Sequence, residues 1–225
     1  TAAGRLTQEI LEGLAANDIR AATPNAIVAV PKGILQGVDH EYTGRVERVD
    51  VELIETLLQH EIVPVVPPLG FDGEGNTYRV NSDGVAAALA EALRAMKLVF
   101  VTTFDGLTRQ GRLFRQMLVS DLEELLAHRR EELAPESLSK AIHAAAAGRA
   151  GIPRVHILNG RLDEALLTEV FSNEGVGTLV YANEYQQIRR ALKKDIPSIL
   201  KLIQPSVENQ EIVRRSRALL EKTLA

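Results

Sequence analysis

The hydrophobic pattern along the chain switches repeatedly between a helical period and short apolar runs. Near the start, "RLTQEILEGLAANDIR" (residues 5–20) places apolar residues at helical spacing until Thr23-Pro24-Asn25 stops it. "AIVAV", closed by Pro31, reads as a buried strand, and "ILQGVDHEYTGRVERVD", broken by Gly37 and Gly44, as a twisted hairpin or loop. "VDVELIETLLQHE" turns Val51, Ile54, Leu57 and Leu58 to one face of a helix. "IVPVVPPLG" reads as a buried strand ending in a turn, and "FDGEGNTYRV" as a small hairpin around Gly73 and Gly75. An alanine-rich helix over "NSDGVAAALAEALRAMK" and an apolar strand over "LVFVTT" follow.

The same alternation continues to the end of the chain. "SDLEELLAHRREELA" reads as a helix closed by Pro135, and "ESLSKAIHAAAAGRAG" as a second alanine-rich helix. The strand "RVHIL", the short helix "RLDEALLTEVF" and the strand "GTLVY" come next, and "DIPSILKLIQPSVENQEIVRRSRALLEKTLA" predicts two helices around Pro205. Strands alternating with helices of about ten to fifteen residues predict an α/β fold, a largely parallel central sheet flanked by helices. A first helix with no strand before it, and two last helices with no layer to cover them, lead to the expectation that the sequence is cut at both ends.

Composition narrows the function. The 225 residues carry a formal net charge of −4, with a pI near 5.8, which argues against the basic face of a nucleic-acid binder. There is no Cys, which excludes disulfides, thiolate catalysis and Cys-ligated zinc. No apolar run approaches bilayer length and no signal-peptide pattern opens the chain, so a cytoplasmic protein with no membrane partner is expected.

Five places carry candidate chemistry. Asn81, Ser82 and Asp83 stand where a helix begins after a strand, either capping the helix or meeting a ligand at its N-terminus. "VTTFDGL" ends a strand with hydroxyls, an acid and a glycine, which suits a phosphate or a magnesium ion but also an ordinary Asp-Gly turn. Lys140 lies early in a helix, where a cation opposes the macrodipole; an anionic ligand or plain solvation would both account for it. His156, inside an apolar strand, reads as a hydrogen-bonded core or rim histidine, and with no second His at ligand spacing no metal is expected. Finally, Glu169 lies towards the end of a helix and "SNEGVGT" turns sharply into a strand. Gly175 and Gly177 permit positive φ or close approach, and a carboxylate at that position suits a guanidinium; a glycine C-cap and tight turn is the other reading.

Taken together, "GVDHEYTGRVERVD", "IVPVVPPLGFDGEGNTYRVNSD", "LVFVTTFDGL", "RVHILNGRLDEALLTEVFSNEGVGTLV" and "YQQIRRALKKDIPSILKLIQP…VRRSRALLE" resemble the amino-acid kinase family. Within it they are most similar to the N-acetylglutamate synthase (amino-acid N-acetyltransferase) branch, in which a kinase-like domain precedes a GNAT acetyltransferase domain. The resemblance implies an enzyme transferring acetyl from acetyl-CoA, as co-substrate, to L-glutamate in the first step of arginine biosynthesis. It implies a kinase-like regulatory domain over 1–183, a linker over 184–194 and the start of a GNAT domain over 195–225. It places an L-arginine effector site at Glu169, Ser172, Gly175, Gly177 and Thr178, with His156 and Lys140 near the same side. Asn81 and Asp83 match two positions of the family's Asn-x-Asn-x-Asp motif, whose first Asn is Arg79 here, and Thr103 stands where a kinase carries an acid. Ile212 and Arg214 match the glutamate pocket of the acetyltransferase domain; the catalytic residues of that domain match nothing in this chain. A homo-oligomer is implied. The alternatives are an N-acetylglutamate kinase and a non-catalytic arginine-binding module.

Overall fold

A computed structural model of the chain describes residues 2–109, 111–171, 175–182, 196–208 and 213. Residues 1–184 form one compact unit and 185–225 a second. The first opens with helix α1 (Ala2–Ala15) and strand β1 (Ala21–Ala22), followed by β2 (Ile27–Pro31), the hairpin β3 (Ile34–Leu35) and β4 (Val38–Asp39), and β5 (Gly44–Val49). Helix α2 (Val51–Gln59) begins where the Asp50 carboxylate accepts the Leu53 N–H at 3.1 Å, satisfying one of the free amides of the first turn. Strands β6 (Val63–Pro64), β7 (Leu69–Phe71) and β8 (Thr77–Arg79) lead into α3 (Ser82–Ala92), which Asn81 caps through the Gly84 N–H at 2.9 Å.

Then come β9 (Leu98–Thr102), three short strands β10 (Thr108–Arg109), β11 (Arg112–Leu113) and β12 (Gln116–Leu118), and helix α4 (Val119–His128). Helix α5 (Leu138–Arg149), strand β13 (Arg154–Asn159), helix α6 (Ala165–Phe171) and strand β14 (Thr178–Tyr181) complete the unit. In the second unit α7 (Ile196–Glu208) is described.

Two four-stranded mixed sheets carry the fold, ordered β5-β2-β7-β8 and β12-β14-β13-β9. In the second, β9 and β12 run parallel to their neighbours, whereas β13 and β14 are antiparallel, with His156 opposite Leu179. Phe100, Leu122, Leu125, Val155, Ile157 and Val180 form its core with Ala141, Ala144 and Ala147 of α5. Ile27, Ala29, Tyr78 and Val80 form the core of the first, and α3 touches both, through Val85 on one side and Ala90 on the other. Each fully buried Leu, Ile or Val contributes about 1.5–3 kcal/mol, so these clusters dominate the stability. The alanines of α5 let α3 and α4 pack closely against it.

The structure departs from the sequence expectations in three places. "IVPVVPPLG" is two short strands, because Pro64, Pro67 and Pro68 lack the N–H a continuous ladder needs. Strands β10 to β12, over 108–118, carry no periodicity long enough to read. Helix α7 runs through Pro205, forgoing one backbone hydrogen bond, where the sequence suggested a break. Among the described residues no helix is long and apolar enough to cross a membrane.

Candidate functional site

Helix α6 is inverted relative to an ordinary surface helix. Its buried positions are Ala165 and Glu169, one turn apart, while Leu166, Leu167 and Phe171 face outward. Glu169 is only 6% exposed, and a buried carboxylate is tolerable only when its oxygens are satisfied. Oε1 lies 2.8 Å from His156 Nδ1; Oε2 accepts the N–H of Val176 at 2.7 Å and of Gly177 at 2.9 Å. Burial pushes the Glu169 carboxyl up. The His156 hydrogen bond, the Gly177 and Val176 amides and the charge interaction with His156 outweigh it, so the group settles below its usual 4.5.

An ionised carboxylate only accepts, so the 2.8 Å contact requires the proton on His156 Nδ1. In a neutral imidazole Nε2 is then a bare acceptor, and among the described residues it is buried with no partner. A carboxylate offers about four lone-pair sites, of which the described residues fill three. Among the described residues Glu169 therefore keeps one lone-pair site and His156 Nε2 has no partner, an acceptor whenever the ring is neutral, in a buried setting that suits a ligand rich in N–H donors.

The turn from α6 to β14 depends on its glycines. Gly175 has φ +55°, and a Cβ there would stand 2.8 Å from Glu169 Oε2. A Cβ on Gly177 would stand 2.2 Å from the Ile157 carbonyl oxygen of β13. Arg115, just before β12, donates from Nη1 to the Gly175 carbonyl at 3.0 Å and ties the turn to the sheet edge. The Thr178 hydroxyl is fully buried and already engaged: it donates to the Phe114 carbonyl at 2.6 Å and accepts the Leu107 N–H at 2.8 Å.

The structure thus brings Glu169, Gly175 and Gly177 together, adds His156, and gives Thr178 a structural hydrogen-bonding role behind them. Ser172, Ile212 and Arg214 lie outside the described residues. Sequence reasoning missed Arg115 and the pairing of His156 with Glu169. A polar residue inside the apolar run of β13 was the signal that the histidine has a buried partner.

A second cluster stands at the N-termini of α3 and α5. Buried Asp83 accepts Lys140 Nζ on Oδ1 at 3.1 Å and Ser139 Oγ on Oδ2 at 2.5 Å. Lys140 is held at a helix start by this carboxylate, which answers why a cation sits against the macrodipole. Asn81 uses its side chain as the α3 cap and lines a groove of 730 Å³ with Arg45, Arg48, Glu91 and His143. Arg79 is turned to the β3–β4 side, where Nη2 donates to Thr43 Oγ1 at 3.3 Å. Among the described residues no group of three or more His, Cys, Asp or Glu is placed to hold a metal ion.

The profile of the amino acid kinase family matches residues 1–159. The chain is 33% identical over 208 residues to an amino-acid acetyltransferase of Ralstonia nicotianae, covering 92% of this chain and 46% of that protein. It is 36% identical over 207 residues to the amino-acid acetyltransferase of Pseudomonas fluorescens, covering 92% and 47%. The chain spans about half the length of the curated relatives it matches. N-acetylglutamate synthase from Neisseria gonorrhoeae, solved with coenzyme A and N-acetyl-glutamate, superposes with a TM-score of 0.74 at 32% identity, over 99% of this chain and 52% of that one. The same enzyme solved with coenzyme A and L-arginine gives a TM-score of 0.70 at 33% identity, over 92% and 47%. Isopentenyl phosphate kinase, at 18% identity and a TM-score of 0.57, shares the fold alone.

Proposed function

Because the chain belongs to the amino acid kinase family, we propose that it is the kinase-like part of an amino-acid acetyltransferase, an N-acetylglutamate synthase. The protein carrying it transfers acetyl from acetyl-CoA to the α-amine of L-glutamate in a cytoplasmic, arginine-producing pathway. In this reading residues 1–183 form the regulatory domain, 184–194 the linker and 195–225 the beginning of a GNAT domain. Acetyl transfer needs a deprotonated amine and a polarised thioester carbonyl, and both tasks fall to that second domain.

L-Arginine binds at the α6–β14 turn. The single observation that carries this is the buried Glu169–His156 pair, with one carboxylate lone pair and the His156 Nε2 unfilled among the described residues, beside Gly175 and Gly177, where no side chain fits. A guanidinium brings five N–H donors in a planar fork and fills both through charge-assisted hydrogen bonds. The test is acetyl transfer by the protein that carries this chain. We expect N-acetylglutamate to form from acetyl-CoA and L-glutamate at a rate that changes on adding L-arginine, and that His156→Ala loses the arginine response but keeps the basal rate. No acetylation of glutamate contradicts the activity; an arginine response unchanged in His156→Ala contradicts the site.

The Asp83–Lys140–Ser139 cluster favours one second reading, an anion site used for phosphoryl transfer, as in N-acetylglutamate kinase. Arg79 and Thr103 stand against it. Arg79 is a charged side chain engaged on Thr43, and Thr103 carries no carboxylate. ADP release from ATP with N-acetylglutamate should stay at background, and clear turnover would make the kinase reading the better one.

A further inference from the structure

The peptide between Gly175 and Val176 is held at both ends by side chains of opposite charge. Its N–H donates to Glu169 Oε2 at 2.7 Å, and its carbonyl accepts Arg115 Nη1 at 3.0 Å. A trans peptide is planar, with N–H and C=O pointing to opposite sides, so the two contacts act across one rigid unit. The carbonyl oxygen faces the cation and the amide hydrogen faces the anion, the favourable sense of the peptide dipole. Hydrogen bonds chained in this way polarise one another, and a charged group at each end strengthens both.

Arg115 can hold its end because its own backbone is fixed. Its carbonyl accepts the Leu179 N–H at 3.0 Å, and the preceding Phe114 carbonyl accepts the Thr178 hydroxyl at 2.6 Å. The next residue, Gln116, is already in register opposite Leu179. The peptide it holds is by contrast easily turned. Gly175 has φ +55° and no Cβ to resist rotation of the peptide that follows it. Half a turn of that peptide would aim the Gly175 carbonyl at Glu169 and take the Val176 amide away from Oε2. The Arg115 side chain is exposed, so its contact adds little to the core. What it decides is the direction of one peptide plane.

We propose that Arg115 is a positioning residue for the Glu169–His156 site. Acting through the Gly175–Val176 peptide, it keeps the Val176 amide on Oε2 and so fixes which lone pair of the carboxylate is left for the N–H of a ligand. Its guanidinium works on the turn and not on the ligand. The proposal rests on the reading of this site as the L-arginine site, and deepens it by naming a residue that sets the affinity.

The 225-residue chain is compared as wild type, Arg115→Met and Arg115→Lys, by amide hydrogen exchange without ligand and by titration calorimetry with L-arginine. In Arg115→Met the Val176 and Gly177 amides should exchange on the order of tenfold faster, the factor that one exposed hydrogen bond supplies. The Val176 amide proton should move upfield in the NMR spectrum as its peptide loses the cation. Affinity for L-arginine should fall by about threefold to tenfold, while the melting temperature moves by less than about 4 °C. Arg115→Lys keeps a cationic donor and should recover most of the exchange protection and of the affinity. Unchanged exchange at Val176 and Gly177 in Arg115→Met overturns the proposal, because the contact then does not hold the turn. Undiminished L-arginine affinity in that variant overturns it too, as does a lysine variant no better than the methionine one. A wild-type chain that takes up no L-arginine overturns the site reading and the proposal with it. That failure is told apart from the others because it shows before any substitution is made.

Discussion

Replacing Glu169 by alanine removes three hydrogen bonds at once and leaves the Val176 and Gly177 amides without their acceptor. An orphaned buried donor costs about 1–3 kcal/mol, so two cost about 2–6 kcal/mol. The variant is also relieved of burying a carboxylate, which brings the expected net loss to roughly 2–4 kcal/mol. In a chain of this size each kcal/mol moves the melting temperature by about 2–4 °C, so a drop on the order of 10 °C is expected by calorimetry. Glu169→Gln keeps one accepting oxygen and should lose about half as much. The pH dependence has a definite sign. Glu169 is depressed below 4.5, so its contribution is complete above that value and fades as pH falls through the lower folded pKa. The gap between wild type and Glu169→Gln should therefore hold from neutrality down to about pH 4.5 and close below it. An alanine variant melting within about 1 °C of wild type at neutral pH would refute the reasoning, because it would mean that the carboxylate holds nothing.

Two further outcomes follow from neighbouring geometry. Gly177→Ala should lower the melting temperature and expose the α6–β14 turn to proteolysis, since its Cβ must displace the Ile157 carbonyl; a variant as stable and as resistant as wild type would show that the turn can relax. Asp72 is held at a pKa of about 2 chiefly by the Asn76 side chain, against burial, with the Asn76 amide, Tyr78 and the Glu74 amide assisting. Its contribution to the β7–β8 hairpin should persist from neutral pH to about 3.8 and disappear towards pH 2, so Asp72→Asn should differ from wild type at pH 5 and match it near pH 2. A constant difference across that range, followed by thermal melts, would contradict the assignment.

The sequence made the helices and the longer strands readable because their periods run over enough residues. β9, β13 and β14 showed as apolar runs and α2 to α5 as amphipathic or alanine-rich stretches. Strands β10 to β12 escaped because two or three residues carry no period and are defined by distant partners, such as Gln116 against Leu179. At the candidate site the glycine turn was visible, since Gly175 and Gly177 announce a backbone need. Glu169 was visible only as a residue near a helix end. Its burial depends on His156 lying thirteen residues earlier on the adjacent strand, a tertiary fact that local pattern does not encode. The same holds for Asp83 and Lys140, 57 positions apart in sequence and 3.1 Å apart in space.

Titration calorimetry of the 225-residue chain with L-arginine tests the central claim most directly. The account predicts saturable binding at a single site, much weaker binding of L-lysine, which lacks the planar fork, and loss of binding in His156→Ala. Bound arginine should also stabilise the folded chain by about 2.7 kcal/mol at a hundredfold excess over its dissociation constant. A folded chain that takes up no L-arginine, or that binds it equally well in His156→Ala, would contradict the claim.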